Sequence, residues 1–360
     1  MVPQLFIVAT AFLFGAIIGS FLNACIHRLP RGLSLREPKR SFCPSCKKTI
    51  PWYHNLPIVS WLVLRGKCAF CGSTISPRYL VVEILTALLF AALAWRYGLP
   101  LALPYLLLAA GLVAATFIDI EHFIIPDEIT IGGTIAGFLC ALALPGIVGA
   151  DGRLDAALLS LLGAGVGWGS IRLIVELGKL AFGKKRVKLD SIQPFNWTRD
   201  NDRADISIGD EKLAWEDIFG RENDLLIVRG KGFSIDGTHL PGEELRFHYN
   251  RLLLPDGDRS LDDIDVIKGR ATEVVIPREA MGLGDVKLMA AIGAFLGWQA
   301  ALFCIAAGSM IGAVFGLAGL LVARDSSGVR LPFGPFLAAA ALLWLFGGRS
   351  LADWYFSLYR

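Results

Sequence analysis

Two acids and four thiols carry most of the chemistry available to this otherwise apolar chain. Asp119, in FIDIEHFIIPD (117–127), and Asp285, in MGLGDVKLMAAIGAFLGW (281–298), each stand where an apolar run meets polar sequence. An ionisable group at membrane depth is costly, and it ordinarily faces a wet cavity or a partner. Two carboxylates that share a site hold one proton between them, so the pair can activate water while protonating a carbonyl oxygen. That chemistry hydrolyses a peptide without a covalent intermediate. Gly282 and Gly284, beside Asp285, are expected to leave room for a substrate backbone or to break the helix where it meets water. Geometry alone is equally compatible with a blander role, in which Asp285 N-caps its helix and Asp119 ends its own in the headgroup layer. Asp127, after Pro126, reads as a cap, and Glu121 and His122 read as solvated loop residues.

The thiols are Cys43, Cys46, Cys68 and Cys71, in CPSCKKTIPWYHNLPIVSWLVLRGKCAFCGS. Two C-x-x-C turns supply four thiolates, which suits a tetrahedral structural zinc, although the spacer between the pairs is one residue longer than the usual range. Such a metal is coordinatively closed and holds the loop together. Four unrelated cysteines or two disulfides fit a reducing compartment poorly. Cys25, Cys140 and Cys304 sit in or beside apolar runs and read as small packing residues.

The elements that must position these groups follow from composition. The 360 residues are 54% hydrophobic and 19% charged, and the mean hydropathy of +0.55 is too high for an ordinary soluble protein of this length. Apolar runs long enough to cross about 30 Å of hydrocarbon recur near 4–24, 78–96, 101–118, 129–149, 155–182, 286–300, 301–323 and 333–348. Gly297, Trp298 and Gln299 are the only punctuation between the sixth and seventh. The first run lacks a preceding basic residue and a small-x-small cleavage site, so it reads as a retained span and not as a signal peptide. The loop from Cys25 to Pro77 carries nine basic residues against one acid, Glu37. The positive-inside rule makes that loop cytoplasmic and puts the N-terminus outside. Counting onward places the 183–285 segment and the basic turn RDSSGVR (324–330) inside, and sets Asp119 and Asp285 at the same inner depth.

The expected fold is an all-α polytopic membrane protein of about eight transmembrane helices with two cytoplasmic additions. In order, residues 1–24 form the first span, 25–77 the four-cysteine zinc loop, and 78–183 spans two to five with Asp119. Residues 184–280 form an inserted domain, and 281–360 spans six to eight with Asp285. The insertion contains short β-branched and aromatic stretches separated by Gly, Pro and Asp turns, which predicts a small β-rich domain. Its His239 and His248 read as satisfied surface or core residues.

Several segments together resemble one family, the prepilin peptidases or type IV leader peptidases, which are aspartic proteases of the bacterial inner membrane. They are GSFLNACIHRLPRG (19–32), the paired C-x-x-C loop ending ISPRYLVVE (75–83), FIDIEHFIIPD, MGLGDVKLMAAIGAFLGW and LPFGPFLA (331–338). G-x-G-D alone is weak; these motifs in this order are specific. Residues 184–280 depart from the pattern, in which the loop before the second aspartate is short. The resemblance implies cleavage of the basic leader of type IV prepilins or pseudopilins, after a glycine, at the cytoplasmic face of the inner membrane. It implies Asp119 and Asp285 as the catalytic pair, and Lys287 matches the motif's lysine without a derivable role. It also implies methylation of the new N-terminus with S-adenosylmethionine, although no glycine-rich loop for that donor is evident and its binding residues are not assigned.

Leaders of this kind are basic, so an acidic surface for them is expected on the insertion or at Glu83 and Glu121, while the basic first loop meets anionic lipid headgroups. The bilayer is the other partner, no nucleic acid is expected, and a homodimer through Gly15 and Gly19 stays open. The rival from another class is a proton-coupled transporter with an acidic relay. It calls for acids near the midplane and a repeat relating two halves, and beyond Glu83 and Glu176 the chain offers neither. A pure assembly scaffold would leave both aspartates without a task.

Overall fold

The computed structural model describes residues 3–37, 41–182, 185–200, 203–209, 211–214, 219, 225–240, 242–254, 257–276, 282–322 and 331–358. The chain divides into two compact units, residues 1–173 with 281–360, and residues 174–280. The turn at 324–330 lies outside the described residues.

The first unit is helical: α1 Gln4–Arg28, the short α2 Val59–Val63, α3 Arg78–Tyr97, α4 Ala102–His122, α5 Asp127–Ala143 and α6 Arg153–Phe182, whose last residues pass into the second unit. After the insertion come α7 Leu283–Leu296, α8 Trp298–Val322, α9 Gly334–Leu343 and, beyond a π-helical turn at Trp344–Gly348, α10 Arg349–Ser357. Apolar helices stand at all eight expected places. Among the described residues six stretches are long and apolar enough to cross a membrane, the last running from Gly334 through the π-helical turn to Leu351; α5, with 17 residues, and α7, with 14, are shorter than the spans expected there. A 14-residue helix rises only about 21 Å. The break between α7 and α8 falls at Gly297, whose φ of +84° favours glycine.

Packing explains why α7 is apolar on every side. Most of it is buried, from Asp285 to Leu296, and the faces toward α5 and α6 are made by glycines. A side chain on Gly137 would strike Phe295 and Ala294, and one on Gly163 or Gly167 would strike the Gly293 or Met289 backbone. Ser160 also donates to the Ala294 carbonyl at 2.8 Å. Contacts at backbone range bind helices in a bilayer, where burial from lipid gives little drive. Gly15 and Gly19 work in the same way inside the chain, against Ala87 and Glu83 of α3. The face considered for a homodimer is therefore occupied by α3.

The second unit bears out the expected β-rich insertion. Its strands are β1 Lys185–Asp200, β2 Arg203–Ile208, β3 Glu211–Ala214, β4 Leu226–Ile235, β5 Thr238–His239, β6 Glu244–Phe247, β7 Arg251–Leu254, β8 Gly257–Ser260 and β9 Val266–Ile276. They form one sheet in the order β3-β2-β1-β9-β4-β6-β7-β8, with β5 beside β4. Phe195, Trp197, Phe233 and Phe247 are fully buried in its core, and alternation along β4 puts every second residue inward until the register shift that follows Lys231.

Candidate active site

Six helix termini gather at one end of the first unit. The Asn23 amide near the end of α1 donates to the Tyr79 carbonyl at the start of α3 (3.0 Å). Arg78 of α3 pairs with Glu121 at the end of α4. Lys287 in the first turns of α7 meets Asp127, the first residue of α5, at 2.6 Å. The Gly334 N–H that opens α9 donates to Asp119 Oδ2 at 2.9 Å. The antiparallel order of spans expected from charge brings these polar ends together.

Asp119 and Asp285 lie within this end and are only 5% and 6% exposed. Phe123 closes α4 in the left-handed region and donates its N–H to the Asp119 carbonyl. The chain then turns through Ile124, Ile125 and Pro126 into α5. Buried Ile125 packs close to both Gly284 and Gly334. A side chain on Gly284 would stand 3.1 Å from Ile125 Cβ, and one on Gly334 would stand 3.1 Å from Ile125 Cδ1 and 2.7 Å from Asp119 Oδ2. Ile125 thus sits between Gly284, which precedes Asp285 in sequence, and Gly334, whose N–H meets Asp119; the two acids are 166 positions apart in sequence.

Several expectations change in detail. Gly282, not Asp285, is the N-cap of α7, and no side chain caps that helix. The space beside Gly284, expected for a substrate strand, is taken by Ile125. Pro126 is the N-cap of α5, so Asp127 serves as a first-turn acid tied to Lys287 rather than as a cap. Glu83 is buried and accepts the Ile58 amide at 2.7 Å, and Glu121 pairs with Arg78, so both acids considered for a leader already have a partner within the chain. Gly334 was missed: its part is played by a backbone N–H and a missing Cβ, neither of which is a residue-type signal.

The four thiols do converge. The ligand atoms of Cys43, Cys46, Cys68 and Cys71 lie within 4.8 Å of one another, and a metal ion fits among them. Cys43 Sγ and Cys71 Sγ are 3.8 Å apart, the separation of about 3.8 Å that a tetrahedron with metal–sulfur bonds of about 2.3 Å requires. The two knuckles are built alike. Lys47 N–H donates to the Cys43 carbonyl and Gly72 N–H to the Cys68 carbonyl, while bridges Phe42–Thr49 and Lys67–Thr74 close each turn. The Cys46 amide and the Ser73 hydroxyl push the Cys43 thiol down to about 6, which favours the thiolate that binds metal. The loop is anchored where Glu83 holds Ile58, a β-branched residue at a φ of +64°.

An apolar groove of about 560 Å³ runs between α1, α4, α5 and α7, lined among others by Phe14, Leu22, Leu112, Gly132, Leu288 and Phe295.

Two family models and several known proteins match the chain. The family model for the bacterial peptidase A24 N-terminal domain matches residues 13–97, which hold the second half of α1, the cysteine loop and α3. The model of the type IV leader peptidase family matches residues 265–317, which hold Asp285. A prepilin leader peptidase/N-methyltransferase of Myxococcus xanthus is 43% identical over 175 residues, 48% of this chain and half of that protein's length. Its counterpart in Aeromonas hydrophila is 29% identical over 96% of this chain and 92% of its own. That of Neisseria gonorrhoeae is 35% identical over 50% of this chain and 68% of its own. No solved structure matches the chain. With both halves of the carboxylate-bearing bundle touched by the family's own models, and relatives aligned along nearly the whole length, the chain belongs to the type IV leader peptidase family.

Proposed function

We propose that this protein is a membrane aspartic endopeptidase that removes the leader of type IV prepilins or type II secretion pseudopilins after a glycine and then methylates the new N-terminus. The relatives carry both activities in their names. The observation that carries the peptidase assignment is the burial of two acids, Asp119 and Asp285, at the end of the bundle where the polar helix termini collect. By the excess of basic residues in the first loop, that end faces the cytoplasm of the bacterial inner membrane.

In the reaction, one carboxylate takes a proton from water while the other, protonated, gives its proton to the scissile carbonyl oxygen, so a tetrahedral diol forms. The diol collapses as the first acid passes its proton to the leaving amine and the second recovers one from the diol hydroxyl. The carbon–nitrogen bond breaks, and the pair returns to its starting state with one proton. The Gly334 N–H on Asp119 Oδ2 fixes the orientation of that carboxylate. Burial of both acids excludes all but the reacting water.

Zinc is the metal proposed for the cysteine cluster, from four sulfurs at tetrahedral spacing. The ion is structural, and Cys43, Cys46, Cys68 and Cys71 hold it without entering the cleavage. S-adenosylmethionine supplies the methyl group in the second activity. The apolar groove does not fit that charged donor, and no residue is assigned to it.

The test is the product mass after incubating the full chain in detergent with a prepilin, because one spectrum reads cleavage and methylation together. Asp119→Asn and Asp285→Asn should each abolish cleavage while the protein stays folded and monodisperse; full activity in either overturns the peptidase assignment.

A further inference from the structure

The apolar groove is long and runs with the helices. Its wall on α4 extends from Leu103 to Ala114 and its wall on α1 from Phe14 to Leu29, roughly 17 and 22 Å at 1.5 Å per residue. It lies along the helices that carry the two acids. Leu112, which lines it, stands two turns before Asp119 on the same face of α4, and Leu288 stands one turn after Asp285 on the same face of α7. Gly111, Gly132, Gly133 and Ala136 contribute to its surface, so a visiting helix can approach at backbone range.

Glu128 lines the groove in the first turn of α5. Its acidic neighbours are committed: Glu121 to Arg78, Asp127 to Lys287, and Glu83 to the Ile58 amide. Glu128 is exposed and has no hydrogen bond or ion pair among the described residues. A carboxylate at the rim of the hydrocarbon is costly unless a cation meets it, and the cytoplasmic flanks of membrane spans are rich in Lys and Arg.

We propose that the groove seats the membrane-spanning helix of the substrate, and that Glu128 binds a basic residue flanking that helix on the side of the carboxylate pair. Glu128 is then a specificity-determining residue that sets how far the substrate slides before its scissile bond meets Asp119 and Asp285. This presupposes the peptidase activity above and names the acid that the leader-binding expectation had placed at Glu83 and Glu121.

The experiment is steady-state cleavage by the full chain in detergent, with two substrate proteins that differ only in flank charge, Lys/Arg or Glu. Glu128→Lys should raise KM for the basic-flanked substrate about tenfold, with kcat within about twofold. The same variant should cut the Glu-flanked substrate with a lower KM than the unaltered enzyme does, a rescue that structural damage cannot produce. Gly132→Trp, placed where a new Cβ meets nothing within 4 Å, should raise KM for the full-length substrate and leave a short peptide spanning the scissile bond unaffected. Unchanged KM in both variants, with Asp119→Asn still inactive, means the groove holds lipid; the inference fails while the peptidase stands. A loss in Glu128→Lys that the reversed flank does not restore also overturns it. Full activity in Asp119→Asn would bring down the peptidase assignment itself.

Discussion

The carboxylate pair and the cysteine cluster are built on opposite plans. The cysteine site draws four ligands from Cys43 to Cys71, and each knuckle closes through its own local hydrogen bonds. The carboxylate site joins Asp119, Ile125, Asp285 and Gly334, which sit on or beside three different helices. It exists only because those helices pack together, with α7 held at backbone range by α5 and α6. A local site tolerates change in its surroundings, whereas a site assembled by packing inherits every fault in the packing.

The largest effect should therefore come from a residue that touches neither acid. Gly163→Val puts a side chain into the Gly293 backbone across the contact of α6 with α7. Overpacking of this kind destabilises by about 1–3 kcal/mol or more, and here the obstacle is main chain, which cannot move aside. Thermal denaturation in detergent should fall sharply and cleavage should disappear with the folded protein. A near-normal melting temperature would show that the bundle is looser than these contacts imply.

Next in size is Gly334→Ala, in which the new Cβ would stand 2.7 Å from Asp119 Oδ2. The carboxylate must turn away from the Gly334 N–H, and a misplacement of about 1 Å costs on the order of 100-fold in rate. Because Gly334 lies at a helix start and outside the left-handed region, backbone strain adds nothing. The expected outcome is a large fall in kcat with little change in melting temperature; an unaltered kcat would remove Asp119 Oδ2 from the mechanism.

Cys43→Ser should separate the two plans. Elemental analysis of the unaltered chain should find about one zinc per chain, and removing one of four thiolates should release it and loosen residues 41–76, since a structural metal contributes folding energy directly. Cleavage should fall less than in Gly334→Ala. The hydrogen bond that ties this loop to a membrane helix, Ile58 to Glu83, does not pass through a ligand. Complete loss of cleavage would mean that the local site supports the assembled one.

The same contrast decides what could be read from sequence. Ligand type and spacing are properties of a short segment, so Cys43, Cys46, Cys68 and Cys71 were legible together. Asp119 and Asp285 were legible as acids at the ends of apolar runs, because charge against hydrocarbon is a strong local signal. Gly334 was not, since a backbone donor leaves no mark on residue type. The short lengths of α5 and α7 were hidden for a related reason: hydropathy reports burial in lipid and burial in protein alike, and α7 is apolar because it is enclosed. The glycines at 133 and 137 and at 163 and 167, spaced one turn apart, were the available clue that these helices meet backbone to backbone.

The smallest effect compares the two knuckles with each other. Lys47 and Gly72 occupy equivalent positions, each just after the second cysteine of its pair, at φ of 60° and 70°. Glycine adopts that region without steric penalty, whereas a residue with a Cβ is disfavoured there by about 1 kcal/mol. Lys47→Gly should relieve the strain and slow zinc loss to a chelator by up to about fivefold, while Gly72→Ala should hasten it by a similar factor. Both retain all four sulfurs and the donors that close each turn, so the difference measures backbone conformation alone. Cleavage should be unchanged in either variant, because neither residue lies on a helix that frames Asp119 or Asp285. A change in cleavage from Lys47→Gly would show that strain in the loop is transmitted to the carboxylates, and the division between a local and an assembled site would have to be given up.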